Sequence, residues 1–376
     1  MLIGQQIAVV GAGIGGLAVA LALAQRGAQV HVFEQAPEIR EVGAGIQISP
    51  NGARVLEALG VQVPGLRSEA VHLRDGLLGG RLLRMRLPDT GAGFWLCHRA
   101  DVIAALKEAA EIAGVTITLG AEVTEVAQGR LTFREHAPVD VSLIIGADGL
   151  HSRVRWAILG QTTPHFTGQV AWRAIVQGEK HPLEAQVHVG PGAHVVSYPL
   201  RKGEITNIVA VEERQDWTDE GWSHQGDPHA LRARFAGFAP DVTNLLEQVD
   251  LVHVWGLFRH EIAPRWFKGG LVLLGDAAHP TLPFLAQGAV MALEDAWVLA
   301  ACLADHDLPE ALALYQTRRS PRVHRAISAA NDNARNYHLR GPKRWAAHKA
   351  LKVIDRLAPQ HMLARYAWLY DADVTA

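Results

Sequence analysis

A glycine loop near the N-terminus, Gly11-Ala12-Gly13-Ile14-Gly15-Gly16, fits the spacing G-x-G-x-x-G. The β-branched run from Gln6 to Val10 ahead of it reads as a strand, and Leu17 to Arg26 behind it carries helix formers up to a stop at Gly27. In that setting Gly11 permits a tight turn, Gly13 lets backbone approach a pyrophosphate, and Gly16 allows close helix–strand packing. The phosphates then meet a helix N-terminus, whose unpaired N–H groups favour anions. Val30, Val32 and Phe33 form the next strand, closed by Glu34, whose carboxylate can accept both hydroxyls of an adenosine ribose. It also disfavours a 2′-phosphate there, since two negative groups would meet. The loop by itself does not choose between a nicotinamide and a flavin dinucleotide.

Other residue types point to chemistry further along. Asp276 ends the apolar run Leu271 to Leu274, where a carboxylate needs donors: ribose-type hydroxyls, backbone N–H groups, or its own following turn. Arg99 opens a helix that runs to Ile112, and its planar five-donor fork suits phosphate oxygens or an ordinary helix surface. His194, Val196 and Tyr198 alternate along a strand and so share one face. A neutral imidazole suits removal of a phenolic proton and a tyrosine can orient a phenol or carboxylate, although packing at a domain interface needs the same residue types. Arg173, opposite Trp172 in AWRAI, serves a carboxylate- or nicotinamide-binding surface or an ion pair between domains. Gln47 in the extended approach to ISPN reaches a polar ring substituent or satisfies loop backbone. Glu294 and Asp295, adjacent on a helix and splayed by about 100°, form no acid–base pair of the glycosidase kind; they hydrogen-bond or pair across the cofactor domain. His279 has no metal-ligand spacing around it, and Cys97 and Cys302 make neither a disulfide framework nor a ligand set, so no metal is expected.

Groups this far apart need a large scaffold to meet. The chain has 376 residues, 49% of them apolar and 20% charged, which is enough for two packed domains and excludes a disordered chain or a stapled peptide. The apolar run from Ile7 to Ala24 approaches the ~20 residues of a membrane span. Glycines break it and no basic segment precedes it, so strand, turn and helix are expected, in a cytoplasmic protein with reduced cysteines. Further expected elements are helices from Asn51 to Leu59 and about His229 to Phe238, a hairpin from Ala121 to Val126 and Leu131 to Phe133, and an apolar strand from Val141 to Ile145. From Gln169 to Val211 short strands follow one another, punctuated by Pro191-Gly192 and Arg201-Lys202-Gly203, as in an antiparallel sheet. A tryptophan-bearing linker is expected at Asp216 to Gly226, and Leu308 to Arg356 reads as mostly helical.

Three ordered motifs carry a family resemblance: the glycine loop, Gly146-Ala147-Asp148-Gly149-x-x-Ser152-x-x-Arg155, and Gly275-Asp276-Ala277-Ala278-His279-Pro280. Together they resemble the single-component FAD-dependent aromatic hydroxylases with the para-hydroxybenzoate hydroxylase fold, in particular the salicylate, 3-hydroxybenzoate and 6-hydroxynicotinate hydroxylase branch. The similarity runs from Ile7 to about His338, and GAGIQISPN (43–51) and PFLAQGAVMALEDA (283–296) look like that branch too. The implied fold is α/β: a Rossmann-like FAD-binding domain with a parallel sheet, interleaved with a second domain on a mostly antiparallel sheet, plus a helical C-terminal region. The expected division assigns 1–70, 99–165 and 266–305 to the FAD-binding domain, 71–98 and 166–265 to the substrate domain, and 306–376 to the helical region.

The resemblance implies that Gly11, Gly13, Ile14, Gly15, Gly16, Glu34, Gly45, Arg99, Val123, Asp148, Gly149, Asp276, Gly288 and Ala289 hold FAD. Arg99 would lie near the phosphates, Asp148 and Gly149 at a motif tied to FAD and pyridine nucleotide, and Asp276 at the ribityl and pyrophosphate region. Gly288 and Ala289, opening a helix, would sit beside the isoalloxazine. His194 and Tyr198 match the histidine and tyrosine of the 3-hydroxybenzoate and 6-hydroxynicotinate enzymes and are the implied catalytic pair. Gln47, Arg173, Pro283 and Phe284 are the implied substrate residues; Pro283 departs from the glutamine favoured by the 3-hydroxybenzoate enzymes. The implied reaction uses NADH or NADPH and O2 to hydroxylate a small phenolic or hydroxy/amino-aromatic acid through a flavin C4a-hydroperoxide. No second glycine fingerprint exists (Gly76 to Gly80 lacks the spacing and the strand) and no C-x-x-C, which fits transient docking of the nicotinamide rather than a second nucleotide domain. The alternatives are a flavoprotein monooxygenase for a larger hydrophobic substrate and a flavin-bound non-catalytic protein.

A formal net charge of -2 excludes a wholesale nucleic-acid binder. Between Arg318 and Arg356, however, eleven basic residues face only Asp332 and Asp355. A solvated helical face paired with the acidic body is the expected reading, ahead of a dimer surface and then a nucleic-acid or anionic-membrane patch; the chain is expected to be a monomer or homodimer.

Overall fold

The computed structural model describes residues 2–39, 45–89, 91–177, 181–216 and 224–376. Gly43 and Ala44 of the GAGIQISPN segment, and residues 217–223 of the expected linker, lie outside the described residues.

Apolar, β-branched strands build a six-stranded sheet in the order Phe267–Lys268, Leu271–Leu273, Leu143–Gly146, Gln6–Val10, Gln29–Phe33, Thr116–Thr118. All neighbours run parallel except the first pair at the edge. The central strand Gln6–Val10 is buried from Ile7 onward, as expected of a parallel strand covered on both faces. Its chain neighbour Gln29–Phe33 lies on one side and Leu143–Gly146 on the other, so the strand order reverses where the glycine loop emerges. That crevice at the carboxyl ends of the strands is where open α/β sheets take ligands.

The second layer is an eight-stranded sheet in the order His224–Gly226, Val252–Arg259, His165–Gln177, Ile205–Glu213, Ala193–Leu200, Glu184–Gly190, Ala70–Asp75, Arg81–Arg86. It is antiparallel except where Glu184–Gly190 runs parallel to Ala70–Asp75. A small sheet of Gly45–Ile48, Trp95–His98 and Gly65–Arg67 bridges the layers. The expected hairpin forms as Val123–Ala127 and Arg130–Phe133.

The helix expected from about His229 to Phe238 spans Pro228–Phe235, and a further helix, Pro240–Glu247, follows it, started by a proline whose missing N–H is no loss at the first helical position. The C-terminal region divides into Leu308–Tyr337 and Gly341–Leu357, separated at Gly341, whose φ is +52°. The basic stretch pairs with acids of the body, as expected, but one of its arginines is not solvated. Arg319 is buried at 1% exposure, and Arg322, Arg340 and Arg344 pair with Glu294, Glu213 and Asp75. Along Gly341–Leu357, Asp355 accepts from the Arg84 backbone N–H at 2.9 Å and from Arg81 at 2.8 Å, which caps the open edge strand Arg81–Arg86. Among the described residues no helix is long and apolar enough to cross a membrane.

Candidate functional site

The glycine loop has the steric properties its spacing requires. Gly11 holds φ +101°, and a Cβ there would stand 2.5 Å from the Ala147 carbonyl oxygen. A Cβ on Gly16 would stand 1.9 Å from the Gly11 oxygen, so helix and strand pack only around glycine. Gly13, the N-cap of the helix Ile14–Ala24, differs: nothing lies within 4 Å of its virtual Cβ. The space a phosphate would need is there. Glu34 latches the loop, accepting from the Ala12 N–H at 2.8 Å and the Ala36 N–H at 2.9 Å and keeping lone pairs for further donors.

A cavity of about 440 Å³ opens between the two sheets above this loop. Of the expected cofactor residues, Gly13, Ile14, Gly15 and Gly45 line it, as do Arg99, Gly149, Asp276, Gly288 and Ala289. The expected substrate and catalytic residues Gln47, Arg173, His194, Tyr198, Pro283 and Phe284 line the same cavity. Gly11 and Gly16 lie beneath the loop, and Glu34 and Asp148 stand outside the wall. Val123, expected at the cofactor, points into the hydrophobic core and does not reach the cavity. Asp148 caps the helix Arg153–Leu159, accepting from the N–H of Arg153 at 2.7 Å and Val154 at 3.3 Å. Arg155 explains why the second and third motifs belong together: its guanidinium donates to the carbonyls of Ala277 at 2.9 Å and Glu261 at 2.8 Å, fixing the loop that carries Asp276.

Asp276 faces the cavity and accepts no hydrogen bond among the described residues. Desolvation raises its carboxyl pKa, partly offset by His279 and Arg99. It is not an N-cap for its own turn; the short helix it belongs to has no side-chain cap. Close by, the protein holds a buried ionic cluster that no sequence spacing announces. Arg319 donates to Asp295 at 2.7 Å and Glu294 at 2.5 Å, and so joins the two splayed carboxylates from outside their helix. Asp295 also holds His279 Nε2 at 2.6 Å, while Glu294 accepts from Asn51 at 2.6 Å and Arg322 at 2.7 Å. His279 thereby anchors its loop through a carboxylate, with no metal cluster among the described residues.

On the sheet side, His194 is buried at 2% exposure, its ring 5.4 Å from Phe284 and 5.2 Å from Tyr337. Its Nδ1 lies 2.8 Å from Nε2 of His338, whose Nδ1 lies 3.2 Å from Glu213. The Glu213 carboxylate accepts only, so His338 carries its proton on Nδ1 and accepts through Nε2. His194 must then be protonated on Nδ1, which leaves Nε2 as the bare nitrogen of a ring that lines the cavity. Burial and the nearby His338 push the His194 pKa well below 6.5, so the imidazole is neutral near pH 7. Tyr198, buried at 3%, packs its hydroxyl against Gly45, where a Cβ would come within 2.6 Å of it. Burial raises its pKa, with Arg173 opposing. Arg173 lies with Cζ 4.4 Å over the Trp255 ring, a cation held at the cavity wall. His338 and Glu213 were invisible in the sequence because their link to His194 spans distant positions and follows no period.

The scaffold and cradle define a dinucleotide-binding flavoprotein, and comparison with known proteins agrees. The chain belongs to the FAD-binding domain family, whose model matches residues 5–330, and is a single-component FAD-dependent aromatic hydroxylase, a monooxygenase of small aromatic substrates. It is 34% identical over 384 residues to 3-amino-4-hydroxybenzoate 2-monooxygenase PtnB3 of Streptomyces platensis, covering 97% of this chain and 95% of the relative. It is 35% identical over 395 residues to 3-hydroxybenzoate 6-hydroxylase of Polaromonas naphthalenivorans (strain CJ2), covering 98% and 96%. The crystal structure of Klebsiella pneumoniae HpxO complexed with FAD and uric acid superposes with a TM-score of 0.82 at 28% identity, covering 96% of this chain and 97% of that one.

Proposed function

We propose that the protein inserts one oxygen atom of O2 into the ring of a small phenolic or amino-phenolic acid, with NADH or NADPH as the electron donor. The balance is ArH + NAD(P)H + H⁺ + O2 → ArOH + NAD(P)⁺ + H2O. The residues present fit FAD: the open space at Gly13 takes the pyrophosphate against the helix N-terminus, Glu34 takes the ribose, and Arg99 and Asp276 supply a cation and an acceptor further along. Bound FAD supplies the electron transfer from the nicotinamide and the activation of O2.

The rest is the work of this chain's side chains. Arg173 holds the substrate carboxylate at the cavity wall, with Gln47 and Tyr198 offering hydrogen bonds to ring substituents. The bare Nε2 of His194 takes the phenolic proton, which raises the electron density of the ring for attack by an electrophilic oxygen. Glu213 and His338 fix the tautomer that makes Nε2 the base, as a carboxylate orients a catalytic histidine elsewhere. Phe284, Trp255 and Leu285 keep water from the reacting centre. The observation that carries this reading is the oriented, neutral His194 in the same cavity as the Gly13 cradle.

A panel of hydroxybenzoates, aminobenzoates and hydroxypyridine carboxylates tests it. At least one is expected to stimulate NADH or NADPH oxidation and to yield one hydroxylated product per nicotinamide consumed. Oxidation that ends only in hydrogen peroxide for every member, or none at all, contradicts the substrate class.

A further inference from the structure

The C-terminal stretch closes the cavity on a side that the family model does not reach. That model ends at residue 330, yet Tyr337, Leu363, Tyr366 and Tyr370 line the cavity. The last two of these tyrosines come from a segment with two four-residue helices, His361–Ala364 and Ala367–Tyr370, too short to hold their place unaided.

Two arginines of the body hold the segment by its backbone. Arg54 donates to the carbonyls of Tyr370 at 2.8 Å and Ala372 at 3.0 Å. Arg322 donates to the carbonyls of Trp368 at 2.8 Å and Leu369 at 2.7 Å, while itself fixed by Glu294. Arg325 lies 3.9 Å over the Trp368 ring, and Leu369 is fully buried in the main core. Carbonyl anchors fix the path of the chain and leave the side chains that face the cavity to do something else.

Those side chains meet the reacting end of the cavity. The Tyr366 hydroxyl donates to Asn333 Oδ1 at 3.0 Å, and Asn333 Nδ2 donates to the Phe284 carbonyl at 3.2 Å. Phe284 is the residue whose ring packs beside His194. Tyr370 meets Phe94, another lining residue, edge-on at 5.0 Å. We propose that Tyr366 and Tyr370 are specificity-determining residues: the strapped segment is the wall against which the substrate ring is measured, and it limits the site to one ring. This rests on the small-aromatic reading above.

The test uses the full-length, FAD-loaded protein with 2-hydroxybenzoate and 1-hydroxy-2-naphthoate as probes. Binding is read from the perturbation of flavin absorbance and turnover from kcat/KM. Tyr370→Ala is expected to raise the two-ring to one-ring ratio by about tenfold or more, the scale on which an apolar pocket wall discriminates between groups of different size. Tyr366→Phe keeps the ring and should leave that ratio near wild type, whereas Tyr366→Ala should raise it. Tyr370→Leu serves where the alanine variant does not fold, with the same direction of change. A wild-type preference for one ring that persists unchanged in the truncated variants overturns this proposal alone. Wild-type protein that binds the two-ring acid at least as well as the one-ring acid overturns both this proposal and the small-aromatic reading.

Discussion

Replacing His194 by asparagine is expected to slow hydroxylation by about 10²–10⁴-fold while FAD and substrate stay bound, the usual range for a lost general base. Asparagine preserves a polar side chain near His338 but presents no nitrogen lone pair to the cavity. The deficit should be larger at low pH than at high pH, because a phenol that ionises in alkaline solution no longer needs the base. Burial holds the wild-type His194 well below its ordinary pKa, so the acid side of the wild-type profile should stay flat down through pH 6.5 and fall only below it. His338→Leu removes the partner that orients His194 without touching the cavity, and should reproduce much of the kinetic defect with substrate affinity retained. A pH-independent deficit in His194→Asn, or none, removes the histidine from proton transfer.

Arg319→Leu is expected to destabilise the fold by about 3–5 kcal/mol, the cost of leaving buried charges without their partner. Glu294 and Asp295 would remain inside the protein, the first with Arg322 and Asn51 and the second with only His279 and the Gly275 N–H as donors. Urea unfolding at pH 7 reads the loss. Acid gives an independent check. Burial alone would raise the Asp295 carboxyl, but the His279 and Arg319 charges overcome it and lower the pKa to about 2. A depressed carboxylate stabilises the fold above its unfolded value near 4, and that stability disappears as pH falls toward 2. Wild-type protein should therefore weaken between about pH 5 and 2, and the variant should lose less over that window, having less to lose. An Arg319→Leu protein as stable as wild type at pH 7 would show the cluster to be energetically neutral.

The parts of this molecule that follow local rules were legible from the residues. The crossover at Gly11 to Gly16 was readable because strand, turn and helix each have their own period and the glycines sit where only glycine fits. The face shared by His194, Val196 and Tyr198 followed from strand alternation, and the structure turns that face to the cavity. Long-range side-chain pairing was not readable. Nothing in the spacing of Glu294 and Asp295 announces that Arg319 will bridge them, and the C-terminal basic run disguised that arginine as a surface residue. Likewise His338 and Glu213 reach His194 only through the packing of a helix end onto the ends of two internal strands. The helix Pro240–Glu247 had a local signal that went unread: a proline suited to the first helical position, with Val242 and Leu246 one turn apart on the buried face.

The claim on which the function depends is that FAD lies across the glycine cradle, and FAD titration of purified wild-type and Gly13→Asp protein tests it most directly. Gly13 has ordinary helix-entry angles (φ -73°, ψ -178°) and free space around its virtual Cβ, and aspartate is a favoured N-cap. The variant should therefore fold at least as stably as wild type while its carboxylate occupies and repels the pyrophosphate position. Wild-type protein is predicted to bind one FAD per chain and to stay yellow through gel filtration, and Gly13→Asp to remain folded and colourless. A wild-type chain that takes up no FAD, or a folded Gly13→Asp variant that binds it equally well, would contradict the account.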